Sequence, residues 1–311
     1  MCKRFLGVDT SNYRTSAAIF ESDTLCWVNE GELLTVPAGA IGLRQSDALF
    51  QHTVRLHEKI GALPRGPVCA VGVSTRPRAV EGSYMPCFLA GESAARSAAH
   101  LLSVPLFPCS HQQGHIAAAA LSAGRLALLD AHFLAWHLSG GTTELLLVRP
   151  GEDGLPDCAC IGGTTDLSAG QLVDRAGAAL GLSFPSGAAL DRLALDAAPE
   201  KGAKPRVTDG YFSLSGMQNQ VESRVRKKEP PAQIARFTLE TVASAVWEAT
   251  RQARRQYPYP VLCAGGVMAS EILRARFAEQ ENIFFAEPRL SGDNAVGVAV
   301  LAARQYERTE N

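Results

Sequence analysis

Apolar and polar positions along this chain alternate between two rhythms. Phe5 to Asp9 is an apolar run of strand length, Thr10 to Arg14 is a polar turn, and Thr15 to Phe20 is a second strand returning beside the first. A short strand follows near Leu25 to Asn29. From Gln45 to Leu63 the spacing becomes that of an amphipathic helix, with Leu49, Val54, Leu56 and Ile60 among its apolar positions. Val68 to Ser74 is strand-like, Phe88 to Leu102 is helix-rich, and Val104 to Phe107 is a brief apolar piece before a helix at His111. Strands alternating with helices predict an α/β lobe.

At Phe133 the opening pattern recurs. Phe133 to Trp136, the polar turn Ser139 to Glu144 and Leu145 to Val148 repeat the order strand, turn, strand, so the two halves read as related lobes. Gly124 and this restart set the boundary between residues 124 and 132, giving an N-terminal lobe of residues 1–130 and a C-terminal lobe of residues 131–311. In the second lobe Ser168 to Leu182 is a helix containing Asp174, Gly187 to Ala197 is another carrying Asp191, and Gln233 to Gln256 is a long helix stopped by Tyr257-Pro258-Tyr259-Pro260. Val261 to Ala264 is a strand running into Gly265-Gly266. A helix follows Ser270, and Gly292-Asp293-Asn294 opens the last one.

Composition narrows the class. The 311 residues are 46% hydrophobic and 20% charged, a globular balance, and the formal net charge of -1 argues against a generally basic nucleic-acid binder. Any RNA contact must use local patches, of which Lys201 to Arg206 and Arg224 to Lys228 are the densest. No stretch is long enough to span a membrane, and the apolar part of the N-terminus is too short for a signal peptide. Eight cysteines without a C-x-x-C pair read as reduced, which points to the cytoplasm.

Two features carry chemistry. His111 and His115 stand four residues apart, on one face of a helix whose start is marked by the capping box Ser110 and Gln113, close enough to share a metal ion. Three glycine-bearing segments follow apolar strands, at Ser139-Gly140-Gly141-Thr142-Thr143, Gly162-Gly163-Thr164-Thr165 and Ala264-Gly265-Gly266-Val267. Small residues there let backbone N–H groups approach phosphate. Neither a Walker A nor a G-x-G-x-x-G signature is present. The expected fold is therefore α/β, with two duplicated RNase H-like lobes of the actin, sugar kinase and Hsp70 (ASKHA) class and a nucleotide cleft between them.

The chain resembles the TsaD family of tRNA threonylcarbamoyl transferases through nearly its whole length. The resemblance rests on Leu6-Gly-Val-Asp-Thr-Ser11, His111-x-x-Gly-His115, Leu138-Ser-Gly-Gly141, Asp174 with Leu180-Gly-Leu182, Pro185-Ser-Gly187, Phe212-Ser-Leu-Ser-Gly216, Ala264-Gly-Gly-Val267 and Asp293-Asn294, in that order. It implies transfer of a threonylcarbamoyl group from threonylcarbamoyl-adenylate to N6 of the adenosine beside the tRNA anticodon. It also implies one divalent metal on His111, His115 and Asp293, iron first, with zinc, manganese and magnesium as alternatives. An adenylate or ATP-type nucleotide would meet His137, Leu138, Ser139, Gly140, Gly141, Asp174, Gly187, Asp191, Gly265, Gly266 and Ser270, the last standing where the family often has asparagine. Whether TsaB-like and TsaE-like helper proteins take part stays open, and no residue stands out as a general base.

Departures from the family pattern surround these residues. Tyr13 and Arg14 replace the usual acidic pair, Arg76-Pro77-Arg78 replaces a glycine-rich turn, Thr142 stands where histidine is usual, and Gln218 replaces a lysine. Two alternatives therefore stand beside the tRNA reading. One is a carbamoyl-type transferase with another acceptor, and the other is a non-catalytic nucleotide-binding partner. The older peptidase reading of this family fails on chemistry, because Gln112 occupies the place of the glutamate in H-E-x-x-H.

Overall fold

Strand β1 (Arg4–Ser11) is buried at every position from Phe5 onward, which is why its sequence reads as a continuous run and not as an alternation. The computed structural model describes residues 3–11, 13–36, 43–278, 280–287, 290 and 295–310. Strand β2 (Arg14–Glu21) lies antiparallel to β1, and the ladder closes with Ser11 opposite Arg14. The polar turn expected over Thr10 to Arg14 is thus shorter, since both of its ends join the ladder. Strand β3 (Cys26–Leu33), helix α1 (Gln45–Ala62), strand β4 (Ala70–Arg76), helix α2 (Phe88–Leu102), strand β5 (Leu106–Ser110) and helix α3 (His111–Ser122) complete this part of the chain. The sheet order is β3-β2-β1-β4-β5, with β4 parallel to both β1 and β5.

After a 3-10 turn at Leu126–Asp130 the order repeats. Strands β6 (Phe133–Leu138), β7 (Thr143–Pro150) and β8 (Pro156–Thr164) are followed by helices α4 (Ala169–Ala179) and α5 (Gly187–Leu195). A ribbon of β9 (Val207–Thr208) and β10 (Tyr211–Phe212) leads into α6 (Ser215–Arg226) and the long α7 (Pro231–Gln256). Strand β11 (Val261–Ala264), helix α8 (Glu271–Phe277), strand β12 (Ile283–Phe285) and helix α9 (Ala295–Glu310) end the chain. Within the second sheet, β8-β7-β6-β11-β12 has the same order as the five strands of the first, with the ribbon added at the β8 edge. β6 is antiparallel to β7 and parallel to β11, as β1 is to β2 and β4.

Two compact units result. The first comprises Met1–Ala131, Arg149–Cys158 and Arg289–Asn311, and the second His132–Val148 and Ala159–Pro288. The last helix packs with the first unit, and Arg149–Cys158 groups with it as well. Helix α9 packs on the first sheet because glycines let its backbone in. A Cβ on Gly7 would lie 2.1 Å from Ala295 O, and one on Gly297 would lie 1.9 Å from Gly114 O of α3. The pairing is set by small residues far apart in sequence, which no local periodicity reveals.

Each unit has its own core. In the first, Val8, Ile19, Val71, Val73 and Leu56 pack together, and in the second, Trp136, Leu145, Leu172, Val242 and Phe277 do. None of the seven described cysteines forms a disulfide. No helix among the described residues is long and apolar enough to cross a membrane.

Candidate active site

Because β1, β4 and β5 run parallel, their carboxyl ends lie on one edge of the first sheet, the edge where open α/β sheets place ligands. These ends deliver Asp9, Ser74 and Ser110. Helix α3 starts directly from β5, and both halves of the Ser110–Gln113 capping box are formed, so His111 occupies the first turn and His115 follows one turn later. Their ring centroids are 4.6 Å apart at an interplanar angle of 68°. His111 Nδ1 lies 3.0 Å from Asp9 Oδ1, and Ser74 Oγ donates a short hydrogen bond to the same oxygen.

Asp9 is 1% exposed. Burial is the largest influence on its carboxyl and would raise the pKa, but the charge of His111 and hydrogen bonds from His111, Ser74 and Ser11 outweigh it. The group is held below the usual carboxylate range. An ionised Asp9 accepts from Nδ1–H of His111, which fixes the ring's tautomer with its lone pair on Nε2. Cys87 is no nucleophile here, because burial, aided by the Asp9 charge, pushes its thiol up to about 12. Cys109 is raised by the same two causes. Under the β1–β2 ladder, fully buried His52 meets Thr15 Oγ1 at 2.7 Å, while its Nε2 has no hydrogen-bond partner among the described residues.

Two imidazoles on one helix face, one of them oriented by a buried carboxylate, are an apt donor set for a divalent cation. Among the described residues no three His, Cys, Asp or Glu side chains are arranged so as to hold a metal ion between them. Asp293, the expected third ligand, lies outside the described residues. One departure noted in the sequence, Arg76-Pro77-Arg78, borders this edge. The β4–β5 register shifts between Ser74 and Arg76, and Gln112 N donates to Pro77 O at 3.0 Å, which ties the Arg76-Pro77-Arg78 segment to the first turn of α3.

The second unit carries the expected nucleotide residues. After β6, Ser139 N donates to Thr142 O and Thr142 N to Ser139 Oγ, closing a tight turn, and Ser168 Oγ donates to Gly140 O. A Cβ on Gly140, Gly141 or Gly266 would meet nothing within 4 Å, so these backbones border open space. Gly265, at φ 99°, sits so close to β6 that a Cβ would lie 2.1 Å from Leu138 O, which brings the turns after β6 and β11 together. His137 is half-buried at the end of β6.

Asp174 accepts from Ser186 N just ahead of α5, where Gly187 is the first residue, and Asp191 follows one turn on. Both oxygens of Asp191 are engaged, one with Ser270 Oγ at 2.5 Å and the other with Glu271 N at 2.9 Å, while Ser270 Oγ caps α8. Asp191 therefore anchors the start of α8. Gly162 and Gly163, expected in a phosphate-binding turn, lie inside β8 instead. A Cβ on Gly162 would be 2.6 Å from Gly210 O, so they serve close strand packing.

Sequence reasoning left Asp9, Ser74 and Asp166 without roles. Asp166 gathers Ser213 Oγ, Ser215 Oγ and Leu214 N, which fixes the turn into α6. The signal for Asp9 was present in its setting, since a carboxylate at the end of a fully apolar strand demands partners.

Comparison with known proteins follows the same lines. A family model described as TsaD, tRNA N6-adenosine threonylcarbamoyltransferase, matches residues 68–300. A protein of that name from Carboxydothermus hydrogenoformans is 30% identical over 328 residues, covering 99% of this chain and 93% of that protein. Another from Syntrophobacter fumaroxidans is 31% identical, with 98% and 94% covered. Among solved structures, full-length HypF in a phosphate- and nucleotide-bound form matches at TM-score 0.62 and 12% identity, over 99% of this chain and 56% of HypF. The activator of 2-hydroxyisocaproyl-CoA dehydratase from Clostridium difficile, with bound ADPNP, matches at 0.55 and 14%, over 99% and 97%. A ROK-family glucokinase from Streptomyces griseus matches at 0.51 and 14%, over 97% and 99%. At these identities the structural matches establish the ASKHA-type fold.

Proposed function

Since the chain belongs to the TsaD family of tRNA N6-adenosine threonylcarbamoyltransferases, we propose that it transfers a threonylcarbamoyl group from threonylcarbamoyl-adenylate to N6 of the adenosine beside the tRNA anticodon, with a divalent metal held by His111 and His115. The observation that carries this reading is the His111–His115 pair with Asp9 behind it. A bound cation would supply Lewis-acid polarisation of a carbonyl or phosphate oxygen. Asp293 is the candidate third ligand, by resemblance.

The protein's own groups do the positioning. Asp9 orients His111 through Nδ1, and Ser74 shares the load on that carboxylate. In the second unit the glycine backbones at Gly140, Gly141 and Gly266 offer N–H groups to an adenylate phosphate, and the Asp174–Gly187 and Asp191–Ser270 pairs hold α5 and α8 where ribose and base would contact them. An aromatic amine is a weak nucleophile. Orientation and charge stabilisation are therefore the main sources of rate.

The test is nucleoside analysis of tRNA. Deleting the gene should abolish N6-threonylcarbamoyladenosine, wild type should restore it, and His111→Ala should not; unaltered modification after deletion removes the tRNA assignment. A second reading, the same transfer to a different acceptor, is favoured by Gln218. In place of the family's lysine it accepts from Arg175 and donates to Glu222, so it presents no cation of its own. Group transfer to a small-molecule amine in the absence of tRNA would support that alternative.

A further inference from the structure

The segment from Lys201 to Val207 crosses α7 as a strap fixed at two points. Ala203 N donates to Thr241 Oγ1 at 2.9 Å, and Gln252 Nε2 donates to Val207 O at 3.1 Å. The anchor residues on α7 are thus roughly 16 Å apart along the helix axis. At the first anchor the strap touches the helix backbone, since a Cβ on Gly202 would lie 2.2 Å from Thr241 N. Between the anchors the strap, α7 and α8 line a half-open cavity of about 500 Å³, bordered by Lys201, Lys204, Ser244, Trp247, Glu248 and Arg276 among others. That volume is in the range of small-molecule sites. None of the expected metal or adenylate residues lines it.

The charge inside is unbalanced. Glu248 is already bound by Arg251 and Gln252, and Glu240 beside the cavity is bound by Arg236 and Arg276. Lys201 and Lys204 have neither an ion pair nor a hydrogen bond among the described residues. Trp247, half-buried and braced edge-on by Phe277 at 5.4 Å, adds an aromatic wall one helical turn from Ser244. Two uncompensated ammonium groups beside a fixed indole match an anion that carries a flat ring.

We propose that this strap pocket is a second binding site, for a nucleotide whose phosphate meets Lys201 and Lys204 and whose base packs against Trp247. The chemistry is that of single-stranded nucleic-acid sites, where cations follow the backbone and aromatic rings take the bases. It gives the basic run Lys201 to Arg206 a role that a net charge of -1 denies to the surface as a whole. The nucleotide can belong to an RNA strand or be free. The pocket shares no lining residue with the metal pair, and the proposal does not depend on the transferase reading.

The test titrates the full-length protein with a short single-stranded RNA and, separately, with AMP and UMP, at several salt concentrations. Lys201→Ala with Lys204→Ala, and separately Trp247→Leu, should each weaken binding about tenfold or more. The double lysine variant should also make the log–log salt slope for RNA shallower by about 1.4, at ~0.7 per phosphate contact on a single strand. Lys201→Arg with Lys204→Arg should retain binding. Loss confined to RNA assigns the site to a strand, whereas equal loss for AMP or UMP assigns it to a free nucleotide. Wild-type affinity and salt slope in both the lysine and the tryptophan variants, at unchanged melting temperature, would overturn the proposal, as would a wild-type protein that binds neither ligand. A His111→Ala, His115→Ala variant should keep this binding, so failure of the strap pocket and failure of the transferase reading are told apart.

Discussion

A carboxylate as deeply buried as Asp9 persists only where donors surround it, and here the donors are Ser74 and the imidazole of His111. If Asp9 orients a metal ligand, Asp9→Asn should keep the fold, because the amide oxygen still accepts from Ser74. It should weaken affinity for Zn(II) or Fe(II) by about 10- to 100-fold, as measured by competition with a chelator. His111→Ala or His115→Ala should leave essentially no bound metal by elemental analysis. His52 gives a separate prediction. Burial lowers its pKa from 6.5, outweighing the Ser11 backbone and the Asp9 charge, so the unfolded chain takes up the proton first as pH falls. Its contribution to stability is complete above about pH 6.5 and is lost as pH falls through the folded-state value, with a slope of at most about 1.4 kcal/mol per pH unit. Urea midpoints at pH 7.5 and 5.5 should differ less in His52→Gln than in wild type. The histidine pair was legible because helical spacing depends on neighbours in sequence alone. The Asp9–His111 contact joins residues 102 apart, and only strand order brings them together.

At the scale of elements, α3 is held from two sides. Its capping box was readable from Ser110 and Gln113, and Ser110→Ala should cost about 1 kcal/mol and loosen the turn that carries His111. Its other support was not readable. Gly297 of α9 lies against the carbonyl of Gly114, the residue directly before His115, and a methyl group there would need space that backbone atoms fill. Gly297→Ala should destabilise the protein by about 1–3 kcal/mol, the usual range for overpacking, and should also reduce metal affinity. Differential scanning calorimetry and metal titration on the same samples check both effects. A change in stability with unaltered metal binding would show that α3 keeps its geometry independently of α9.

For the whole molecule, duplication was legible because each repeat begins with the same local signature, a strand, a polar turn and a returning strand, and the two sheets do share one strand order. Chain order misleads at Arg149–Cys158 and at the end, where α9 packs on the first sheet. That packing makes the first unit depend on the last residues of the chain. Positions 295–303 of α9 are all buried, against β1, β4 and α3, whereas the second unit's core is built from residues 134–285. A chain ending at residue 290 should therefore lose hydrogen-exchange protection throughout β1, β4 and α3, and with it the Asp9–His111 arrangement. Amides in β6, β7 and β11 should exchange far more slowly than those of the first unit. Mass-spectrometric exchange on the full-length and shortened chains distinguishes this outcome from uniform loss. Uniform loss would mean that the second sheet cannot fold without the first, despite a separate core around Trp136 and Val242.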